Sequence, residues 1–98
     1  MGVNNRQQLS LVGKIMQDRI QDRIMLAGVS IVDPPNTWID ARAEIGQDTV
    51  IEPFTCISGA VTIGDNCRVG PFAYLYEGAD VQAGSVVGVF QKLKQVSE

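Results

Sequence analysis

The stretch IGDNCRVGPFAYLYEGADVQAG, residues 63–84, decides the fold because its aliphatic residues recur at every sixth position. Neither a helix, with a repeat of about 3.6 residues, nor a single strand, with a two-residue repeat, requires this spacing. The spacing continues in both directions from this stretch. The aliphatic residues at this six-residue spacing are Ile39, Ile45, Ile51, Ile57, Ile63, Val69, Leu75, Val81, Val87 and Leu93.

A stronger repeat appears at every eighteenth residue, which is three hexads. Three segments share a closing phenylalanine at that spacing: IEPF (51–54), VGPF (69–72) and VGVF (87–90). Residue types that tolerate positive φ recur at the same spacing at Asp48, Asn66 and Gly84. One coil therefore takes eighteen residues, with three short strands and three turns. Residues 39–93 predict about three coils of a parallel β-helix, with aliphatic stacks such as Ile45–Ile63–Val81 inside.

The first segment of the chain predicts one long α-helix, from about residue 6 to residue 27. Asn5 is a good N-cap, Gln8 completes a capping box, and Gly28 stands where a C′ glycine is expected. The apolar stripe of this helix comprises Leu9, Val12, Met16, Ile20 and Ile24, joined by Ile15 and Leu26. The polar side chains that lie away from the stripe are Gln7, Lys14, Asp18 and Gln21.

The chain therefore divides into three parts. Residues 1–28 form a linker-type helix, residues 29–38 a short strand and a proline turn, and residues 39–98 the repeat β-helix. Asp33-Pro34-Pro35 ends the short strand, because neither proline can donate a ladder hydrogen bond. The fold class is thus mainly β, with a short parallel β-helix after one N-terminal helix.

Composition excludes several classes of function. The net charge is −3 with no Lys/Arg cluster, so neither nucleic acid nor an anionic membrane is expected as a partner. No apolar run approaches the ~18 residues of a membrane span, and the first residues do not resemble a signal peptide, which favours the cytoplasm. The chain has no histidine, and two cysteines alone cannot complete a zinc site. We expect Cys56 and Cys67 to be reduced structural thiols.

The hexads resemble those of the hexapeptide-repeat family, whose members are left-handed β-helices and usually trimers. A closer resemblance rests on three ordered segments: GVNNRQQL (2–9), MLAGVSIVDPPNTWID (25–40) and VTIGDNCRVGPFAYL (61–75). They resemble the bifunctional bacterial N-acetylglucosamine-1-phosphate uridyltransferase / glucosamine-1-phosphate acetyltransferase family. In that family the first segment closes the nucleotidyltransferase domain and opens a linker helix, which leads into the β-helix that carries acetyl transfer.

The resemblance implies candidate site residues. Asn4 matches a Mg²⁺ ligand of the family, but one neutral oxygen does not hold Mg²⁺, so a place at the helix start is the simpler interpretation. Lys94 matches a substrate-binding lysine, although a lone lysine is usually only solvated. Tyr76 and Glu77 replace the family's phosphate-binding arginine and the proline after it, and Val89 replaces an asparagine. No catalytic residue is predicted, because the family's catalytic histidine has no counterpart here.

Two functions remain open. The chain is either a fragment-like relative of the bifunctional enzyme of UDP-N-acetylglucosamine biosynthesis, inactive alone and working with a separate nucleotidyltransferase chain, or a non-enzymatic β-helix scaffold or interaction module. Mg²⁺ and acetyl-CoA follow only from the resemblance, and no cofactor is expected for this chain alone. An independent acyltransferase would need a buried carboxylate as its base, and the possible ones are Glu44, Glu52, Glu77 and Asp80.

A homotrimer is predicted for either function, because three coils bury little apolar surface. The β-helix is expected to be a prism of triangular section. The predicted interface is the strip Phe54, Phe72 and Phe90 on the outside of this prism. The alternative is that these rings cover the corner or pack on the chain's own helix.

Overall fold

A computed structural model describes residues 6–88 of the chain. Helix α1 spans Arg6–Leu26, and a short 3-10 turn spans Pro34–Asn36. The ten strands within residues 6–88 are all two or three residues long: β1 Ser30–Ile31, β2 Thr37–Ile39, β3 Glu44–Ile45, β4 Val50–Ile51, β5 Thr55–Ile57, β6 Thr62–Ile63, β7 Arg68–Val69, β8 Tyr74–Leu75, β9 Asp80–Val81 and β10 Val86–Val87.

The strands form three parallel sheets in which each strand pairs with the third strand after it. Their orders are β1-β4-β7-β10, β2-β5-β8 and β3-β6-β9. Ile45 pairs with Ile63 and Ile51 with Val69, so the register between neighbouring coils is eighteen residues. The molecule is a parallel β-solenoid of about three coils behind one helix, consistent with a left-handed β-helix of hexapeptide repeats. The predicted fold class is confirmed.

The first coil contains a strand that the hexad count from Ile39 leaves out. Ser30 and Ile31 pair with Val50 and Ile51, twenty residues later instead of eighteen. The Pro34–Asn36 turn accounts for the two extra residues, because it replaces a corner that is tighter in the later coils. The predicted short strand is therefore part of the β-helix itself.

The core is a column of aliphatic side chains that point inward from the three sheets. Ile39, Ile51, Ile57 and Val69 have no exposed surface, and Ile63 has 2%. Burial of one such side chain stabilises the fold by about 1.5–3 kcal/mol. The column begins beneath Ile24 of α1, which is buried at the N-terminal end of the prism.

Helix α1 contacts the prism with a face that only partly overlaps its predicted apolar stripe. Ile24 is buried and Ile20 partly buried, but Leu9 and Met16 are more than half exposed. The side chains that lie against the first coil include Gln17 and Gln21, with 7% and 3% exposure. The expectation that Gln21 lies away from the packed face is therefore wrong.

The reason is the unpaired edge of β2 beneath the helix. The Gln17 side chain donates from Nε2 to the Ile39 carbonyl at 2.7 Å and accepts from the Ile39 N–H at 2.9 Å. Gln21 donates from Nε2 to the Thr37 carbonyl at 2.8 Å and to Gln17 Oε1 at 3.0 Å. Buried polar groups are costly unless they are hydrogen-bonded, so this edge favours amide side chains over aliphatic ones.

The inward column predicts a sharp difference between two adjacent positions of β6. Replacing buried Ile63 by Asn places an unpaired amide in the core and should lower the free energy of unfolding by about 3 kcal/mol or more. The matched control is Thr62→Asn, whose side chain points to solvent and should change stability by less than about 0.5 kcal/mol. Urea unfolding followed by circular dichroism measures both, and equal losses would contradict the assignment of faces.

Candidate functional site

Two of the three predicted interface residues lie together on one outer corner of the prism. The rings of Phe54 and Phe72 stack with centroids 5.2 Å apart and planes 6° from parallel. Both rings are more than half exposed. Phe90, the third member of the strip, lies outside the described residues. We call Phe54 and Phe72 the phenylalanine pair.

The phenylalanine pair occupies an unusual backbone conformation. Phe54 has φ 61° and Phe72 φ 59°, in the left-handed region that bulky residues avoid. Asp48 and Asn66 adopt similar angles at another corner, where such residue types are common. A bulky residue held in this region costs on the order of 1–3 kcal/mol and persists only where the surroundings impose it. Two apolar rings are thus held outward, at a backbone cost, on the same corner.

An ion pair lies close in sequence to this corner. Arg68 on β7 pairs with the carboxylate of Glu52, the residue that follows β4. Pro53 separates Glu52 from Phe54, so charged and apolar groups alternate here. Glu52 is therefore engaged in a structural contact within the described chain.

A second corner carries a cluster of charged side chains. Asp40 accepts hydrogen bonds from the Arg42 side chain (Nε at 3.1 Å), the Arg42 backbone N–H at 2.9 Å and the Gly59 N–H at 3.0 Å. The Arg42 guanidinium, helped by these N–H groups, holds the pKa of Asp40 well below its usual range. Glu77 lies 3.7 Å from Arg42 and accepts a hydrogen bond from the Ala60 N–H at 3.2 Å. The carboxylates thus join three successive coils at this corner.

Tyr76 lies beside this corner, next to Tyr74. Its ring packs on that of Tyr74 with centroids 5.6 Å apart and planes inclined by 30°, and both rings are exposed. Glu77 follows Tyr76 directly and is also exposed. The remaining candidate bases, Glu44 and Asp80, are exposed as well.

Sequence reasoning did not anticipate the grooves on either side of Trp38. A groove of about 520 Å³ lies between α1 and the Pro34–Trp38 segment, and one of about 250 Å³ lies on the Asp40 side. Both contain Gly13 and Gln17 of the helix. The helix stripe alone could not reveal them, because they depend on which face of α1 meets the coil.

The other predicted site residues have no structural assignment. Asn4 and Lys94 lie outside the described residues. Within residues 6–88, no three side chains of the metal-ligating types come together. Within the same residues, no helix has the length and apolar content needed to cross a bilayer. Cys56 and Cys67 are both free, and burial raises the pKa of the Cys56 thiol.

Comparisons with known proteins agree with this architecture. Residues 42–77 match the family model described as bacterial transferase hexapeptide (six repeats). The chain is 47% identical to bifunctional protein GlmU of Fervidobacterium nodosum over 78% of its own length and 17% of that relative. It is 51% identical to the Caldanaerobacter subterraneus protein of the same name over 72% of its length and 16% of the relative.

A third relative is matched over nearly the whole chain. Bifunctional protein GlmU of Mycolicibacterium smegmatis is 42% identical over 95% of this chain and 22% of its own length. The similarity therefore extends beyond the repeats. The chain spans about one fifth of the length of the curated relatives it matches.

The Asp40 contacts predict a specific acid sensitivity. A carboxyl whose folded-state pKa is lowered stabilises the fold above its ordinary pKa of about 3.9, and this contribution is lost as the pH falls through the folded-state value. Asp40→Asn should therefore lower the thermal midpoint by a few degrees at pH 7, and the gap from wild type should shrink below about pH 4. Asp80→Asn is the control, since it removes an exposed carboxylate from a later strand. A gap for Asp40→Asn that is constant from pH 7 to pH 2 would contradict the role of these contacts.

Proposed function

Because this chain is similar to bifunctional protein GlmU and carries hexapeptide repeats, we propose that it is a fragment-like relative of this enzyme of UDP-N-acetylglucosamine biosynthesis. In this proposal it assembles as a homotrimer in the cytoplasm and transfers neither acetyl nor uridylyl groups alone. A separate nucleotidyltransferase chain supplies the nucleotide chemistry. Two free thiols are the usual state of cysteines in a reducing compartment, which supports the location.

The observation that carries the proposed assembly is the phenylalanine pair. Its rings are exposed, stacked and held in a left-handed backbone conformation, although exposed apolar rings add little to the stability of a lone chain. An interface that buries them would offset the backbone cost. The threefold symmetry of the proposed assembly is taken from the family resemblance.

The proposed lack of transfer activity rests on the residues that could act as a base. None of the 98 residues is histidine. Glu52 is paired with Arg68, and Glu77 contacts both Arg42 and the Ala60 N–H. Glu44 and Asp80 are exposed, whereas a carboxylate base that works near neutral pH needs burial or a like charge beside it.

The activity proposal predicts no turnover with either donor. The purified chain, incubated with glucosamine 1-phosphate and acetyl-CoA or with UTP and N-acetylglucosamine 1-phosphate, should release CoA or pyrophosphate at the rate of a protein-free control. The experiment includes Glu77→Gln and Glu52→Gln, which remove the two candidate carboxylates that have arginine partners. Turnover that either substitution abolishes would contradict the proposal.

The assembly proposal predicts a specific mass and a specific sensitivity. Sedimentation equilibrium at micromolar concentration should give three times the 10.6 kDa chain mass. Phe72→Arg should dissociate the trimer, because a buried unpaired charge at an interface costs several kcal/mol. Tyr74→Arg is the matched control, since that ring is equally exposed at 61% but lies outside the phenylalanine pair.

A mass of one chain for the wild-type protein would contradict the trimer. A trimer that withstands Phe72→Arg as well as Tyr74→Arg would contradict this interface.

The second candidate, a non-enzymatic interaction module, is favoured by the 520 Å³ groove beside Trp38. The two candidates make different predictions in one titration. A fragment-like relative of the bifunctional enzyme should bind a separately produced nucleotidyltransferase domain of a GlmU relative, with micromolar or tighter affinity by calorimetry. A pure interaction module should not.

A further inference from the structure

The hydrogen bonds between coils define what the free edge of β2 lacks. In the sheet of β2, β5 and β8, the Cys56 N–H donates to the Ala73 carbonyl at 2.9 Å and the Ser58 N–H to the Leu75 carbonyl at 2.8 Å. Two coils earlier, by the eighteen-residue register, the acceptors equivalent to Ala73 and Leu75 are the carbonyls of Thr37 and Ile39. Within residues 6–88 no strand precedes β2 in this sheet.

The two buried glutamines of α1 take the place of that missing strand. Gln21 Nε2 donates to the Thr37 carbonyl, and Gln17 Nε2 donates to the Ile39 carbonyl. Gln17 Oε1 accepts the Ile39 N–H, as the carbonyl of a strand would. The amide of Gln17 therefore pairs with both backbone groups of one residue, as an opposed residue does in a hydrogen-bonded pair of an antiparallel sheet.

The spacing of the glutamines suits this role. Residues four apart on a helix are separated by about 6 Å along its axis, and residues two apart on a strand by about 6.6 Å. Gln17 meets Ile39 and Gln21 meets Thr37, so α1 lies antiparallel to β2 and its four-residue step matches the two-residue step of the strand. A helix with amides at i and i+4 can thus cover a strand edge.

Lifting α1 would expose more than hydrogen-bonding groups. Ile24 of the helix and Val29 after it are buried in the same cluster as Ile31 and Ile39, the first rung of the core. An edge that combines unpaired backbone groups with apolar side chains is a template for pairing with another chain. A second copy presents the same edge and the same rung, and a twofold contact uses one patch on both partners.

We propose that α1 is an edge cap: Gln17 and Gln21 keep the edge of β2 from pairing with the β2 edge of a second copy of this chain. The cap acts through side-chain amides, so it can be disabled without removing the helix. Met has a helix propensity similar to that of Gln, and it offers neither an N–H donor nor a strong acceptor.

The test compares Gln17→Met/Gln21→Met with Gln7→Met, a control at an exposed position of the same helix. Sedimentation velocity over a hundredfold range of concentration should show, for the double variant, a species of twice the mass of the wild-type assembly. This ratio holds whatever the wild-type oligomer is. The control should keep the wild-type mass throughout.

Amide hydrogen exchange locates the contact. In a dilute solution of the double variant, the Ile39 N–H should exchange at least about tenfold faster than in the wild-type protein, because its acceptor is lost. As the double-mass species forms, this amide should regain its protection. A folded double variant that keeps the wild-type mass at every concentration would overturn the proposal, as would doubling that leaves the Ile39 amide unprotected.

Should the double variant fail to fold by circular dichroism, Gln21→Met alone provides the test. It removes the bonds that Gln21 donates to the Thr37 carbonyl and to Gln17 Oε1, and it leaves both hydrogen bonds between Gln17 and Ile39. We expect the double-mass species to appear in this variant only at the upper end of the concentration range. A folded single variant that never exceeds the wild-type mass would overturn the proposal.

Discussion

The parallel hydrogen-bond ladder between coils is the constraint on which the rest of the structure depends. It fixes the step between stacked residues at eighteen, as the pairs Ile45–Ile63 and Ile51–Val69 show. With that step fixed, each inward position is stacked over its equivalent in the coil before it, and most of these positions are aliphatic, with buried threonines at Thr37, Thr49 and Thr55. The phenylalanine pair has the same origin, since residues 54 and 72 are one step apart.

Side chains extend the ladder where backbone groups cannot pair. At the corners, carboxylates of Asp40 and Asp65 accept N–H groups from neighbouring coils, those of Gly59 and Gln47. At the end of the prism, the amides of Gln17 and Gln21 do the same for β2. Both solutions satisfy backbone polar groups without adding another coil. The N-terminal helix is therefore part of the β-helix in energetic terms, although it contains no strand.

The sequence predicts the repeating part of this fold and fails at its irregular end. The hexads predict the core positions, since every coil must satisfy the same ladder. They do not predict that Ser30–Ile31 belongs to the first coil, because the proline turn adds two residues and breaks the count. Helix periodicity also identifies only part of the contact face of α1: it locates Ile20 and Ile24 but not Gln17 and Gln21, because it measures apolar content and α1 also meets a polar strand edge. The phenylalanine pair follows from the eighteen-residue spacing, but the left-handed backbone of Phe54 and Phe72 has no signature in the sequence.

Trp38 is the only tryptophan of the chain, and it stands between the two grooves against α1. It is about half exposed, and a side-chain carbon at position 13 would lie 3.9 Å from its ring, so the helix shields one side of the indole. Indole emission depends on contact with water. The protein consequently carries an intrinsic fluorophore at the junction of helix and prism, and movement of α1 could be followed in real time without any attached dye.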